Sequence, residues 1–164
     1  MHIAAPISGV ARFFALTLLV VALAACSRAP NTMPTGVGNV GAGAATPGSQ
    51  QEFLVTVGDR VFFDTDSSAL TTEAQATLDK QAAWLNRYTN YRIMIEGHAD
   101  ERGTREYNIA LGARRASVVV NYLASRGVAA NRIQSQSFGK ERPVAICNDI
   151  SCWSQNRRAV TVVQ

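Results

Sequence analysis

Strand-like and helix-like segments alternate along the C-terminal part of the chain, and their order is the feature that most constrains its fold. Alternating apolar residues predict strands over 53–63, 91–97, 132–138 and 158–163. Helical periodicity falls between the first and second strands, and again between the second and third. The order β-α-β-α-β-β predicts an α/β (α+β) two-layer sandwich, with both long helices on one face of a four-stranded sheet.

Capping residues and glycines predict where the two helices begin and end. Thr72 and Gln75 form a capping-box pattern for the first helix. Thr104 is the expected N-cap of the second helix, and Gly127 is a good stop signal after it. The side chains expected to face the sheet are Ala74, Leu78, Ala82 and Leu85 in the first helix, and Tyr107, Leu111, Val118 and Tyr122 in the second.

The N-terminus has the pattern of an export signal. Arg12 precedes an apolar run that is short for a membrane span. The run closes on Leu-Ala-Ala-Cys, which resembles the bacterial lipobox, so residues 1–25 are expected to be removed and Cys26 to be acylated. Ser27 stands where an aspartate would signal retention in the inner membrane, so the resemblance implies anchoring in outer-membrane lipid. A plain signal peptide and a membrane anchor are the alternatives.

Residues 26–50 are predicted to be a flexible tether. They are rich in Gly, Pro and Ala, carry almost no charge and have no periodicity. Such a segment cannot bury enough apolar surface to offset the entropy of ordering it. Extended, it would span at most about 80 Å. Residues 51–164 then form one domain of ordinary size.

Charge and cysteine content limit the partners. The formal net charge of +4 raises the question of nucleic acid. However, basic and acidic residues are interspersed and no basic run exceeds a pair, so no nucleic-acid partner is expected. In an oxidising compartment Cys147 and Cys152 are expected to form a local disulfide. Zinc would need two further ligands, for which the sequence after the signal offers no second cysteine pair and no histidine pair.

Catalytic groups are scarce after the signal segment. His98 is the single histidine there, because His2 lies in the signal. His98 and Asp100 could be two metal ligands, but no third is apparent. No Gly-x-Ser-x-Gly elbow presents a serine nucleophile. The residues therefore argue against an enzyme, a metal site and a cofactor.

The segment EGHADERGTREYNIALGARRA, residues 96–116, combines three binding groups around a helix start. Asp100 follows a predicted strand, and Asn108 and Arg115 are nearly two turns apart on one helix face. Asp100 can pair with an ammonium group, and Arg115 can bind a carboxylate bidentately. The set suits a zwitterionic ligand. The alternative is an acid that favours the helix dipole beside a solvated arginine.

Several sequence blocks in order resemble one family. VFF, EGHADERGTREYNIALGARRA, SFGKERP and NRRAV resemble the OmpA-like peptidoglycan-binding domains, and among them the peptidoglycan-associated lipoproteins, over about residues 59–163. The resemblance implies a mixed sheet in the order 1-4-2-3, with the last strand antiparallel to its neighbours. It also implies non-covalent binding of the meso-diaminopimelate stem of peptidoglycan. The implied setting is the Tol-Pal system, which supports envelope integrity and cell division.

The resemblance also assigns roles to individual residues. Asp100 matches the acid that accepts the ligand ammonium, and Arg115 matches the arginine that holds its carboxylate. Arg157 is an equally placed alternative to Arg158. The full set of implied peptidoglycan-binding residues is Asp66, Asp100, Thr104, Asn108, Leu111, Arg115 and Arg158.

The resemblance implies TolB as a protein partner, with Glu101, Arg102 and Arg105 as the candidate contacts. If TolB and peptidoglycan share the site, occlusion makes their binding mutually exclusive. Two other hypotheses stay open, namely an adaptor that acts mainly through TolB and a cell-wall hydrolase. The CNDISC segment, 147–152, departs from better-studied members of the family, which have no cysteines in that loop.

Overall fold

A mixed four-stranded sheet forms one layer of the domain. The computed structural model describes residues 45–164. The strands are β1 (Arg60–Phe62), β2 (Ile93–His98), β3 (Ile133–Gly139) and β4 (Arg158–Val163), in the order β1-β4-β2-β3. β4 is antiparallel to β1 and β2, and β2 is parallel to β3. The predicted strand order and directions are therefore confirmed.

Two long helices form the second layer. They are α2 (Thr72–Arg87) and α3 (Arg105–Ser125). A short α1 (Gln50–Glu52) continues as a π-helix over Phe53–Gly58, a 3₁₀ turn covers Ala130–Arg132, and α4 is Ile150–Asn156. The apolar core lies between the layers and includes Val61, Leu78, Leu85, Ile93, Ile95, Val119 and Leu123. The predicted α+β sandwich is confirmed.

The predicted strand over 53–63 is wrong in its first half, where the chain is helical. Phe53 is buried, and its ring packs edge-on against Trp84 with centroids 5.0 Å apart. Gly58 ends this helix with a φ of 91°, and its carbonyl accepts a 2.7 Å hydrogen bond from Gln81. The β-branched residues thus favoured a strand, but packing of Phe53 on α2 decided the local structure.

Two predicted helix boundaries have different outcomes. The hydroxyl of Thr71, and not that of Thr72, caps α2 by accepting from the Ala74 N–H at 3.1 Å. Thr104 caps α3 as predicted, accepting from the Tyr107 N–H. The predicted inward stripe of α2 is confirmed, because Ala74, Leu78, Ala82 and Leu85 are all buried.

The face of α3 that packs on the sheet is only partly the predicted one, since Leu111 is buried as expected but Val118 and Tyr122 are half-buried. Tyr107 is largely exposed, whereas Asn108, Gly112 and Arg115 are buried. The cause is a close approach between helix and strand: a Cβ on Gly97 would lie 1.9 Å from the Gly112 carbonyl oxygen. Two glycines facing each other let the backbones meet, and this orientation turns Arg115 into the interior.

The folded domain begins before residue 51. Ser49 caps α1 through a hydrogen bond from the Glu52 N–H, and the Tyr91 hydroxyl donates to the Gly48 carbonyl at 2.7 Å. The predicted tether therefore includes residues that belong to the domain. The predicted signal, Cys26 and the tether up to residue 44 lie outside the described residues. Within 45–164, no helix has the length and apolar character needed to cross a membrane.

The segment before β4 contains a short helix that the sequence did not predict. Asp149 caps α4 by accepting from the Ser151 N–H at 2.7 Å. A disulfide joins Cys147 to Cys152, with the Cα atoms 5.7 Å apart. Asn156 binds the preceding loop, accepting from the Val144 N–H at 2.9 Å and donating to the Ala145 carbonyl at 2.8 Å. These contacts hold α4 to the loop that precedes it.

Candidate functional site

A groove opens between the loop after β1, the end of β2 and the start of α3. Its cavity measures about 270 Å³. Backbone bends bring the three elements together there, with Asp66 at a φ of 55° and Gly103 at 83°. The residues that line the groove are Thr65, Asp66, Asp100, Arg102, Gly103, Tyr107, Asn108, Leu111 and Arg115.

Asp100 is the buried acid of this groove. It lies just beyond β2 and is only 7% exposed. Arg102 binds its carboxylate through Nε at 3.0 Å and Nη2 at 2.7 Å, and Arg157 Nη1 lies 3.4 Å from Oδ2. Burial alone would raise the pKa of Asp100, but the hydrogen bonds from Arg102 outweigh it and hold the pKa below its usual value. Asp100 is therefore ionised at neutral pH.

Arg115 forms the floor of the groove. The whole residue is 0% exposed, and its guanidinium donates to three backbone carbonyls: His98 at 2.8 Å, Ser67 at 2.8 Å and Asp64 at 3.1 Å. Burial, with the like charge of Arg157, lowers the pKa of Arg115 to about 10, so it stays protonated at neutral pH. Arg115 thus joins the loop after β1 to the end of β2 and places a positive charge under the cavity.

The start of α3 shapes the remaining walls. Asn108 is buried and donates its amide hydrogens to the carbonyls of Arg102 at 2.7 Å and Thr104 at 3.1 Å. The Tyr107 hydroxyl donates to the Asp66 carboxylate. Tyr107 and Asp66 therefore stand together at one side of the groove. Thr104 does not line the cavity, and its role is to cap α3.

The two arginines before and in β4 have different surroundings. Arg157, and not Arg158, lies beside Asp100, and it also donates to the Phe63 carbonyl at 3.0 Å. Arg158 donates to the carbonyls of Arg142 at 3.1 Å and Asn156 at 3.4 Å. The structure therefore favours Arg157 for the place that the resemblance gave to Arg158.

The three residues proposed as protein contacts are exposed at the rim of the groove. Arg105 pairs with Glu141 at 3.1 Å, and the Glu101 carboxylate accepts from the Trp153 indole. Arg102 lines the groove itself, with its guanidinium carbon 4.2 Å above the centre of the Trp153 ring. Helix α4 therefore forms part of the rim.

His98 is the one histidine of the described residues, and it is buried at the end of β2. Its ring is 1% exposed and stacks on Phe138. Within residues 45–164 neither ring nitrogen has a hydrogen-bond partner, and a Glu96 carboxylate oxygen lies 3.6 Å from Nε2. Burial, together with the charges of Arg158 and Arg142, lowers its pKa to about 4. A neutral, enclosed ring is poorly suited to act as a general base.

Acid is expected to destabilise the domain in part through His98. The folded pKa is about 4 and the unfolded value 6.5, so the unfolded chain binds the extra proton between them. The stability that His98 contributes to the folded state is fully present above about pH 6.5, and it is lost as the pH drops towards about 4. Urea unfolding at several pH values should show a smaller loss of stability in His98→Gln than in wild type. Equal pH slopes in the two proteins would contradict the assignment.

Comparison with known proteins places this geometry in a family. The model of the OmpA family matches residues 62–157. The chain belongs to the OmpA family. It is 64% identical to a protein named peptidoglycan-associated lipoprotein from Rhizobium meliloti, over 89% of this chain and 84% of that protein. A protein of the same name from Agrobacterium fabrum is 63% identical over 88% of this chain and 83% of that protein. These identities place it among the peptidoglycan-associated lipoproteins.

Solved structures agree with this membership. The peptidoglycan-associated lipoprotein of Burkholderia pseudomallei is 43% identical, with a TM-score of 0.63 over 65% of this chain and 90% of that chain. The C-terminal domain of Helicobacter pylori MotB is 21% identical, with a TM-score of 0.61 over 65% of this chain and 84% of that chain. The second likeness concerns the fold alone.

The OmpA-family groove contains most of the residues predicted from the sequence, and also some that were missed. The lining includes the predicted residues Asp66, Asp100, Asn108, Leu111 and Arg115. Tyr107 was missed because it was assigned to the sheet-facing stripe of α3. The sequence did indicate that Tyr107 belongs to the groove, because it lies one turn before Leu111 and residues four apart share a helix face. Trp153 could not be found from the sequence, because only the fold brings α4 to the rim.

Proposed function

We propose that this chain is an outer-membrane lipoprotein that binds peptidoglycan non-covalently and tethers the outer membrane to the cell wall. The observation that carries the proposal is the groove, which places the carboxylate of Asp100 and the guanidinium of Arg115 on a cavity of about 270 Å³. Membership among the peptidoglycan-associated lipoproteins supports this assignment. The chain acts by binding and not by catalysis.

The proposed ligand is the meso-diaminopimelate of the peptide stem. Its side chain ends in an amino acid centre, which carries an ammonium group beside a carboxylate. Asp100 provides the negative partner for the ammonium. The positive charge of Arg115 below the cavity, together with the positive end of the α3 dipole, attracts the carboxylate. Asp66, Asn108 and Leu111 complete the walls.

The remaining parts of the chain fit a tether. Acylation of Cys26 would anchor it in the inner leaflet of the outer membrane, with the domain facing the periplasm. The segment up to residue 44 then provides reach, since an extended chain covers about 3.3–3.6 Å per residue. One molecule would thus hold membrane and cell wall together.

Peptidoglycan binding is expected to be lost in Asp100→Ala. The change removes the groove's buried carboxylate, and a charge-assisted hydrogen bond contributes about 1.5–3 kcal/mol, so the affinity should fall at least about tenfold. The measurement is co-sedimentation of the whole chain, in detergent, with purified sacculi, with free diaminopimelate as competitor. Asp79→Ala is the matched control, because Asp79 is an exposed acid of α2 that pairs with Arg126 and does not line the groove. Undiminished binding by a folded Asp100→Ala protein would refute the site assignment.

We also propose that TolB, within the Tol-Pal system, binds the same rim through Glu101, Arg102 and Arg105. The support is location, since Arg102 lines the groove and Glu101 and Arg105 are exposed next to it. Peptidoglycan and TolB would then compete by occlusion. A titration of sacculus-bound chain with TolB should release the chain. If the chain, TolB and the sacculus form a ternary complex instead, TolB does not bind at the groove.

A further inference from the structure

Two arginines occupy the carboxylate of Asp100. Oδ1 accepts from the Arg102 backbone N–H at 3.2 Å and from Arg102 Nε at 3.0 Å. Oδ2 accepts from Arg102 Nη2 at 2.7 Å and faces Arg157 Nη1 at 3.4 Å. An ionised carboxylate offers about four acceptor positions. An incoming ammonium group must therefore displace one of the donors that are present.

Arg102 is the donor that can leave. Its side chain is 41% exposed, whereas that of Arg157 is 8% exposed and also bound to the Phe63 carbonyl. A guanidinium that swings outward regains water, while a buried one would lose its partners without replacement. The exchange therefore concerns the side chain of Arg102.

The backbone around Arg102 is held still. Asn108 donates to the Arg102 carbonyl at 2.7 Å. Lys140 Nζ donates to the carbonyls on either side, Glu101 at 3.2 Å and Gly103 at 2.7 Å. The loop does not need to open, and a rotamer change of one side chain is sufficient to expose Asp100.

Trp153 holds Arg102 in the occluding position. The guanidinium carbon lies 4.2 Å above the centre of the indole ring, within the range of a cation–π contact. The ring itself is oriented by its N–H bond to the Glu101 carboxylate. The Cys147–Cys152 disulfide and the hydrogen bonds of Asn156 hold α4 to the loop that precedes it, so Trp153 belongs to a cross-linked segment.

We propose that Arg102, held by Trp153, is a built-in competitor for Asp100, and that a ligand ammonium group binds by displacing it. This inference rests on the proposed function of the groove. An ammonium group alone would take Asp100 and leave Arg102 without a partner. A ligand with an ammonium group beside a carboxylate breaks the Asp100–Arg102 ion pair and forms two new ones. Its ammonium pairs with Asp100, and its carboxylate pairs with the displaced guanidinium of Arg102. Arg102 and Trp153 therefore set which ligands the groove accepts.

The test uses two stem tripeptides, amidated at the C-terminus, that differ in one group. One contains diaminopimelate as its third residue and the other lysine, whose side chain has the same ammonium without the carboxylate. Calorimetry on the whole chain should show preferential binding of the diaminopimelate peptide. In Arg102→Ala this preference should fall about tenfold, mainly because the lysine peptide binds more tightly. Trp153→Ala should change the preference in the same direction, and Trp153→Phe should restore it.

Controls separate the possible outcomes. Arg114→Ala removes an exposed arginine of α3 and should leave the preference unchanged. If Arg102→Ala binds the lysine peptide more weakly than wild type does, or keeps the same preference, this inference is wrong. The proposed function would still stand in that case, provided that wild type binds sacculi. If wild type binds neither sacculi nor the peptides, both this inference and the proposed function are wrong. Thermal unfolding of each variant checks that the domain is folded.

Discussion

Replacing Gly97 with alanine is expected to destabilise the domain by about 3 kcal/mol or more, or to prevent folding. A Cβ at this position would lie 1.9 Å from the Gly112 carbonyl oxygen and 2.7 Å from its carbon. Both atoms belong to the backbone of α3, so no rotamer change relieves the clash. Overpacking commonly costs about 1–3 kcal/mol, and separating helix from sheet should exceed that range. The melting temperature should fall by about 10 °C or more.

Two further variants test whether the close approach is the cause. Gly112→Ala should also destabilise, because its Cβ would lie 2.4 Å from the Ser137 hydroxyl and 2.8 Å from the Gly97 carbonyl oxygen. Ala113→Ser adds one atom on the exposed face of the same helix and should have a small effect. A melting temperature for Gly97→Ala close to that of wild type would show that α3 does not rest on β2 in this way.

Replacing Arg115 with alanine is expected to cost about 3 kcal/mol of folding stability and to abolish peptidoglycan binding. The carbonyls of His98, Ser67 and Asp64 would lose their donor, and a buried group left unpaired, as at His98, costs about 1–3 kcal/mol. The loop after β1 would also lose its connection to the end of β2. Urea unfolding and co-sedimentation with sacculi measure the two effects.

The neighbouring arginine provides a matched control for Arg115. Arg114 is exposed on the same helix, so Arg114→Ala should leave both stability and binding nearly unchanged. Arg115→Lys should recover little, because a single ammonium cannot reproduce a planar fork that reaches three carbonyls. If Arg115→Ala unfolds like wild type, the guanidinium does not hold the groove together.

The site could be predicted in part because its main residues are close in sequence. Asp100, Asn108 and Arg115 lie within one strand–helix unit, and helical spacing alone puts the last two on one face. The choice between Arg157 and Arg158 could not be made in this way. Arg157 follows α4 and Arg158 begins β4, and only the packing of this junction beside the end of β2 decides which arginine meets Asp100.

The sequence by itself determined the order of the elements, the domain class, the capping role of Thr104, and the acid and guanidinium in the segment from residue 96 to residue 116. These depend on local periodicity, on capping and on residue type. The tertiary structure decided that Arg115 is buried beneath the groove and that Arg102 covers Asp100. The physical reason is packing between distant segments. The Gly97–Gly112 contact sets the rotation of α3, and the fold brings Trp153 of α4 to Arg102, which is far from it in sequence.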